Sequence, residues 1–380
     1  MKKFKFLQRR RYEAFIFLLI MGSIFGVLGS KMGSSQMISS IMNTAHDLLL
    51  NTVFYIMAIT VLAGALGKLM IEFGVVRLLE VVLAPLMRPI FNLPGVASIG
   101  ALMTFFSDNP AIISLAQDKN FRSYFKKYEL ISLTNFGTAF GMGLIVISFM
   151  ISKGFFLSAM VGLLGAIVGS IVSTRIMQRL IRKDFHEIPV AEGHTEADNI
   201  SFSSEGTLFQ RFLNAVLDGG RSGVDLGLAI IPGVLTISTF VMMITFGPKD
   251  AVIGYQGLAY EGVPLLPKVA GLFAFPFKIL FGFQNAGAIA FPITALGAVG
   301  AALSLIPRYI ESGIAGANEI AVFTAMGMCW SGYLSTHTAM LDALGYRNLT
   351  SKALLSHTFG GLAAGVFAHY AFVLVSLVVH

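Results

Sequence analysis

Apolar runs of membrane-crossing length follow one another along nearly the whole chain, at 12–32, 46–72, 129–150, 154–175, 224–246, 264–283, 285–306, 318–345 and 352–378. Each can cover the hydrocarbon core of a bilayer, which takes about 20 residues of helix. Only 12% of the side chains are charged, about half the share of a soluble domain. Too few charges remain to cover a water-facing surface. In lipid the backbone must satisfy itself, and long apolar runs do so as helices. The expected fold class is therefore an all-α polytopic membrane protein.

The net charge of +7 is gathered in short patches beside the apolar runs: KKFKFLQRRR at the start, KNFRSYFKK at 119–127 and RIMQRLIRK at 175–183. Such patches mark cytoplasmic ends of membrane helices. That distribution argues for a bacterial inner membrane with the N-terminus in the cytoplasm, and against nucleic acid as a partner. The basic start and the apolar run from Phe15 to Leu28 resemble a signal peptide. The run continues into Gly-Ser without an A-x-A site, so it is read as a retained first helix. A single cysteine, Cys329, excludes a disulfide framework and a cysteine metal cluster.

Two halves of the chain resemble each other. KYELISLTNFGTAFG at 127–141 aligns with ANEIAVFTAMGMCWS at 317–331, an offset of 190 residues, and the same offset aligns the segment ending FFSDNPAIISL with the one ending ALGAVGAALSL. SKGFFLSAMVGLLGAIVG at 152–169 aligns with SKALLSHTFGGLAAGVFA at 351–368. The chain is divided into residues 1–45, a basic segment and first helix; 46–176, a first repeat; 177–223, a mobile cytoplasmic linker with an interfacial amphipathic helix over LFQRFLNAVLDGG; and 224–380, a second repeat. Each repeat is expected to hold about five membrane-crossing or re-entrant helices, with 75–92 and 94–117 going out and back together. An odd number threads the second copy upside down, the construction of secondary transporters.

The polar residues that interrupt these helices are the candidates for chemistry. Ser107, Asp108 and Asn109 stand before Pro110 inside an apolar run, where the aligned repeat has Gly297, Ala298 and Val299. They form either a ligand-facing tip or the cap of a half-helix. Thr134 and Thr138 share a face and read as packing residues, whereas the amide of Asn135 needs a partner. Gln284 and Asn285 precede a helix in FGFQNAG and are expected to form a second polar tip. Asn318 and Glu319 open a long apolar helix. Ser331, Ser335, Thr338 and Asp342 make one polar stripe on it, with Thr336 and His337 alongside.

NEIAVF at 318–323 resembles the Asn-Glu-Phe-Val-Ala-aromatic signature of concentrative nucleoside transporters. CWSGYLSTHTAMLDALG at 329–345 and the YRNLTSKALLSHTFGG stretch after it are similar to that family's closing helices. SDNPAII takes the place of its Gln-Thr-Glu-Ala-Pro hairpin tip. The chain also resembles other proteins with nucleoside-recognition or gate domains, namely spore maturation membrane proteins and ferrous-iron gate channels. The resemblance implies that Asn318 and Glu319 contact sugar hydroxyls, that Ser335 and Thr336 stand near the sugar, and that Ser107 to Asn109 face the base. It also implies a homo-oligomer, since those carriers are homotrimers. Two departures stand out: the Gln-Thr-Glu tip is absent, and the signature asparagine before the paired serines falls on Tyr333.

The expected function is secondary active transport (symport) of a small polar solute, nucleoside-like or related. Substrate-binding residues would be Ser107, Asp108, Asn109, Asn135, Gln284, Asn285, Asn318, Glu319, Ser335 and Thr336. Asp108, Glu319 and His337 are the candidates for coupling to H+ or Na+; no other cofactor and no metal are expected. The alternatives are a non-transporting membrane scaffold on a degenerate carrier fold and, below it, a metal-ion permease. No nucleophile–base pair or zinc motif points to an enzyme, and GGRSG at 219–223 lacks P-loop spacing.

Overall fold

The computed structural model describes residues 2–185 and 206–379; residues 186–205 of the expected linker lie outside them. The described residues are helical, with an isolated extended bridge between Asp250 and Gly254. Helix α1 (Lys2–Met32) stands largely apart from the bundle, its apolar side chains exposed to lipid. Helices α2 (Ser34–Asp47) and α3 (Phe54–Glu72) form one 39-residue span joined by a π turn. Next come α4 (Val75–Leu86), α5 (Ala97–Phe106), α6 (Pro110–Gln117), the short α7 (Lys119–Ser123), α8 (Lys127–Thr138), α9 (Gly143–Ser152) and α10 (Phe156–Ile181).

The second half repeats this order. Helices α11 (Leu208–Ala229), α12 (Ile231–Gly233) and α13 (Thr239–Thr245) form one 38-residue span. After a loop come α14 (Leu265–Gly271), α15 (Ala274–Phe281), α16 (Ala290–Gly297), α17 (Val299–Leu303) and α18 (Ile306–Glu311). The broken pair α19 (Ala317–Trp330) and α20 (Ser335–Ala343) follows, and α21 (Thr350–Val379) closes the chain.

The repeat-equivalent helices pack antiparallel through small residues. Gly64 of α3 meets Gly219 of α11, Thr60 meets Gly223, and Met57 meets Gly227, so one helix runs up as the other runs down. In α10 and α21, Gly169 meets Gly360 and Gly165 meets Ala364 in the same opposed sense. With lipid as solvent there is little hydrophobic drive between helices, and contact depends on backbones approaching closely. A side chain at Gly64, Gly219 or Gly223 would run into the backbone of the facing helix. The halves are thus threaded oppositely, as an odd number of crossings requires.

Two expectations change. Residues 75–92 do not cross. Glu72 is tied to Arg211, and Arg88 to Glu129, while Arg175 donates to the carbonyls of Pro89 and Ile90. Those partners all sit at the same, basic end of the bundle, so α4 lies across that end with Leu78, Val81 and Val82 outward and Glu80 inward. Helices α5 and α6 alone dip in and return as a hairpin. Each repeat therefore has three crossings and two re-entrant helices, which keeps the count odd. The segment expected to lie at the interface, 208–220, instead continues without a break into the next crossing. Its glycine face is held along α3, and Arg211 anchors its start to Glu72.

Candidate functional site

Four breaks in helices meet near the middle of the bundle. The first hairpin breaks at Ser107–Asn109, where Pro110 begins α6 and Ser107 takes a non-helical backbone. The second breaks at Ala298, the repeat-equivalent position, between α16 and α17. The crossing α8–α9 breaks at 139–142, and α19–α20 at 331–334, where Gly332 adopts φ +66°. Asn109 joins three of these breaks. Its amide donates to the carbonyl and hydroxyl of Ser331, 3.2 and 3.4 Å away. It fills the space left by Gly141 and Gly332, where any Cβ would collide with it.

Breaking a helix in lipid leaves carbonyls without donors, and the α19–α20 break shows where they go. The Ser331 carbonyl takes the Asn109 amide, and that of Trp330 takes the Tyr333 amide at 3.1 Å. The Cys329 carbonyl accepts from His357 Nε2, and the Tyr333 carbonyl from His337 Nδ1 at 2.7 Å. A carbonyl can only accept, which fixes these ring nitrogens as N–H. His357 Nδ1 then accepts from Ser173 at 2.9 Å. Asn135 donates to Ser173 and to the Ala353 carbonyl, at 2.9 and 2.8 Å. This buried network braces the break from behind.

In front of the break lies a cavity of about 390 Å³, lined by Asp108, Asn109, Ser331, Gly332, Ser335 and Thr336 together with the apolar second tip, Gly297 to Gly300. The long spans contribute Leu226, Ala229, Ile230 and Gly233, and Ile113 and Met142 complete the wall. Across the first tip is a chamber of about 330 Å³ with Lys68, Ser107, Ser222 and Asp225. Asp108 and Leu226 line both chambers. Asp108 Oδ1 and Asn109 Oδ1 are both buried and have no donor among the described residues.

The expected site residues divide. Asp108, Asn109, Ser335 and Thr336 come together in the cavity. Ser107 faces the second chamber, but its hydroxyl donates back to the Met103 carbonyl at 2.6 Å. The others lie elsewhere. Asn135 belongs to the bracing network. Gln284 and Asn285 are exposed, with Asn285 capping a 3-10 turn through the Gly287 amide, so they do not form the second tip. Glu319 accepts from the Gly316 amide at 3.1 Å, as its repeat partner Glu129 does from Lys126, and each caps its own helix. Asn318 donates to the Phe281 carbonyl and pairs with His369. His337 sits behind the break, fully buried. The expected polar stripe is also cut: Ser331 lies in the break itself, and Asp342 pairs with Arg347 at the exposed end.

Sequence reasoning missed the wall given by α11. Asp218, Ser222 and Asp225, spaced four and three, share a helix face, and the last two line the second chamber. Placing a boundary at 223 divided that stripe.

Residues 53–154 match the family model described as Gate: Nucleoside recognition. The match runs from the start of α3 to the turn after α9, and so contains the first hairpin and its broken partner. The chain is 36% identical over 102 residues to the sporulation integral membrane protein YlbJ of Bacillus subtilis, covering 26% of this chain and 24% of that protein. It is 24% identical over 222 residues to an uncharacterized protein of Alkalihalophilus pseudofirmus, covering 54% of this chain and 46% of the other. It thus spans about a quarter and about half of these relatives' lengths. Among solved structures, the concentrative nucleoside transporter CNTnw in an intermediate state superposes with a TM-score of 0.54 at 15% identity, over 94% of this chain and 90% of CNTnw. An outward-facing form gives 0.55 at 14% identity, over 95% and 84%. The chain as a whole therefore shares the fold of CNTnw.

Proposed function

We propose that this protein is a secondary active transporter. It takes a small polar solute, nucleoside-like or a related metabolite, into the 390 Å³ cavity and passes it across by moving the hairpins and broken helices against the long spans. The observation that carries the reading is the cavity itself, where a buried acid, an unsatisfied amide oxygen and two hydroxyl residues converge at broken helices. H+ or Na+ is the coupling ion, with Asp108 as the acid placed to respond to it. Following the basic residues, the end holding Arg88, Lys127 and Arg182 faces the cytoplasm of a bacterium, and α1 starts there. The test is uptake into proteoliposomes of nucleosides, purine bases and small carboxylates, with and without H+ and Na+ gradients. Gradient-dependent uptake of one class, lost in Asp108→Ala, is expected; flat uptake of every class would overturn the reading.

A second reading has its own support. Asn285, Asn318 and Glu319 all have partners inside the protein, as a non-transporting scaffold would have them, and one relative is named for sporulation. Under that reading Asp108→Ala changes stability but no flux.

A further inference from the structure

The two oxygens left without donors at the first tip define what the cavity takes. Buried polar atoms are almost always hydrogen-bonded, and a buried carboxylate is normally paired. The other buried acids follow this rule. Glu129 meets Arg88 and the Lys126 amide, Glu319 meets the Gly316 amide, and Glu261 takes amides from Lys249, Gln256, Gly257 and Leu258. Asp108 has the neighbouring Asn109 amide facing its carboxylate, while Oδ1 has nothing. Beside it, Asn109 commits its NH2 to Ser331, and its carbonyl oxygen, buried against Gly141, has no donor either.

No cationic side chain lines this cavity among the described residues, and Asp108 is the sole charge on its wall. The adjoining chamber adds Lys68 and Asp225, of opposite charge, so the two chambers together carry one net negative charge. The rest of the wall is apolar, from Ile113, Met142, Leu226, Ile230 and Val299, with Ser335 and Thr336 on one side. A volume of about 390 Å³ is far more than a bare ion needs.

Resting on the transport reading, we propose that the solute is a small organic monocation, an apolar body carrying a primary ammonium or amidinium group. Its N–H donors meet the Asp108 carboxylate on the cavity wall. Its body lies against the aliphatic wall and the glycine-rich second tip, and its hydroxyls, where present, reach Ser335 and Thr336. A carboxylate solute is excluded by like charge. A neutral nucleoside would leave the charge of Asp108 to the coupling ion alone.

The test compares pairs that differ only in the ammonium. Binding to the purified full-length protein in detergent is read as a thermal shift with tyramine against 4-ethylphenol, and with benzamidine, uridine and succinate. Tyramine or benzamidine should bind at least about tenfold more tightly than 4-ethylphenol, uridine and succinate, as a charge-assisted hydrogen bond gives. Asp108→Asn should erase that preference while keeping its own melting temperature; the aligned repeat carries Ala298 here, so the fold does not need an acid. The wild-type comparison decides even if the variant fails to fold. Equal shifts for tyramine and 4-ethylphenol, or a preference for uridine, overturn the proposal. Uptake of the amine into proteoliposomes separates the two readings. Binding without uptake upholds the cation site and refutes transport, while uridine uptake that survives Asp108→Asn upholds transport and refutes the cation site.

Discussion

A single carbonyl freed inside lipid decides the fate of several residues here. His357 meets the Cys329 carbonyl on one side and Ser173 on the other, holding α21, α19 and α10 together at the break. Removing the imidazole leaves two buried polar groups without partners, each worth about 1–3 kcal/mol. His357→Ala should therefore lower unfolding stability in detergent by about 3 kcal/mol; an unchanged denaturation midpoint would show that the break is braced otherwise. Asp108 and Asn109 were legible in the sequence because no apolar run tolerates them without a reason. Asn318 and Glu319 were misleading. Their likeness to a sugar-binding signature is real in the letters, but the Gly316 amide takes the Glu319 carboxylate first. Which donor a carboxylate meets depends on the local cap, and spacing along the chain does not show it.

Among elements, the long spans were readable from hydropathy and the hairpins from proline and polar breaks. The course of 75–92 was not, because an apolar face on a surface helix and one on a crossing helix leave the same pattern. Nor was the continuity of 208–245, since the glycines that bind α11 to α3 count as weak helix formers until the facing backbone is seen. That seam can be tested directly. Gly223→Leu would drive a side chain into the backbone of Thr60 and Val61. Overpacking of this kind costs about 3 kcal/mol, so the protein should unfold at lower denaturant or fail to accumulate. Gly22 in α1 has open space beside it, and Gly22→Leu should stay within about 1 kcal/mol of wild type. Equal behaviour of the two variants would contradict the packing described.

At the scale of the whole molecule, the inverted repeat explains why four unrelated-looking breaks coincide. Two copies of one motif, entering from opposite faces, place their hairpin tips at the same depth, and the crossings that follow break beside them. Repeat alignment along the chain found the copies and an odd count; the number of full crossings, three to a repeat, needed the coordinates. The first hairpin ends at the short helix α7, which carries Asn120, and the second in a loop containing Ser312, both exposed, whereas Cys329 is fully buried. Single cysteines at Asn120 and Ser312 can be labelled with a membrane-impermeant maleimide in vesicles of known orientation. Labelling of the two positions from opposite sides of the membrane is the predicted result; labelling of both from the same side would contradict the account.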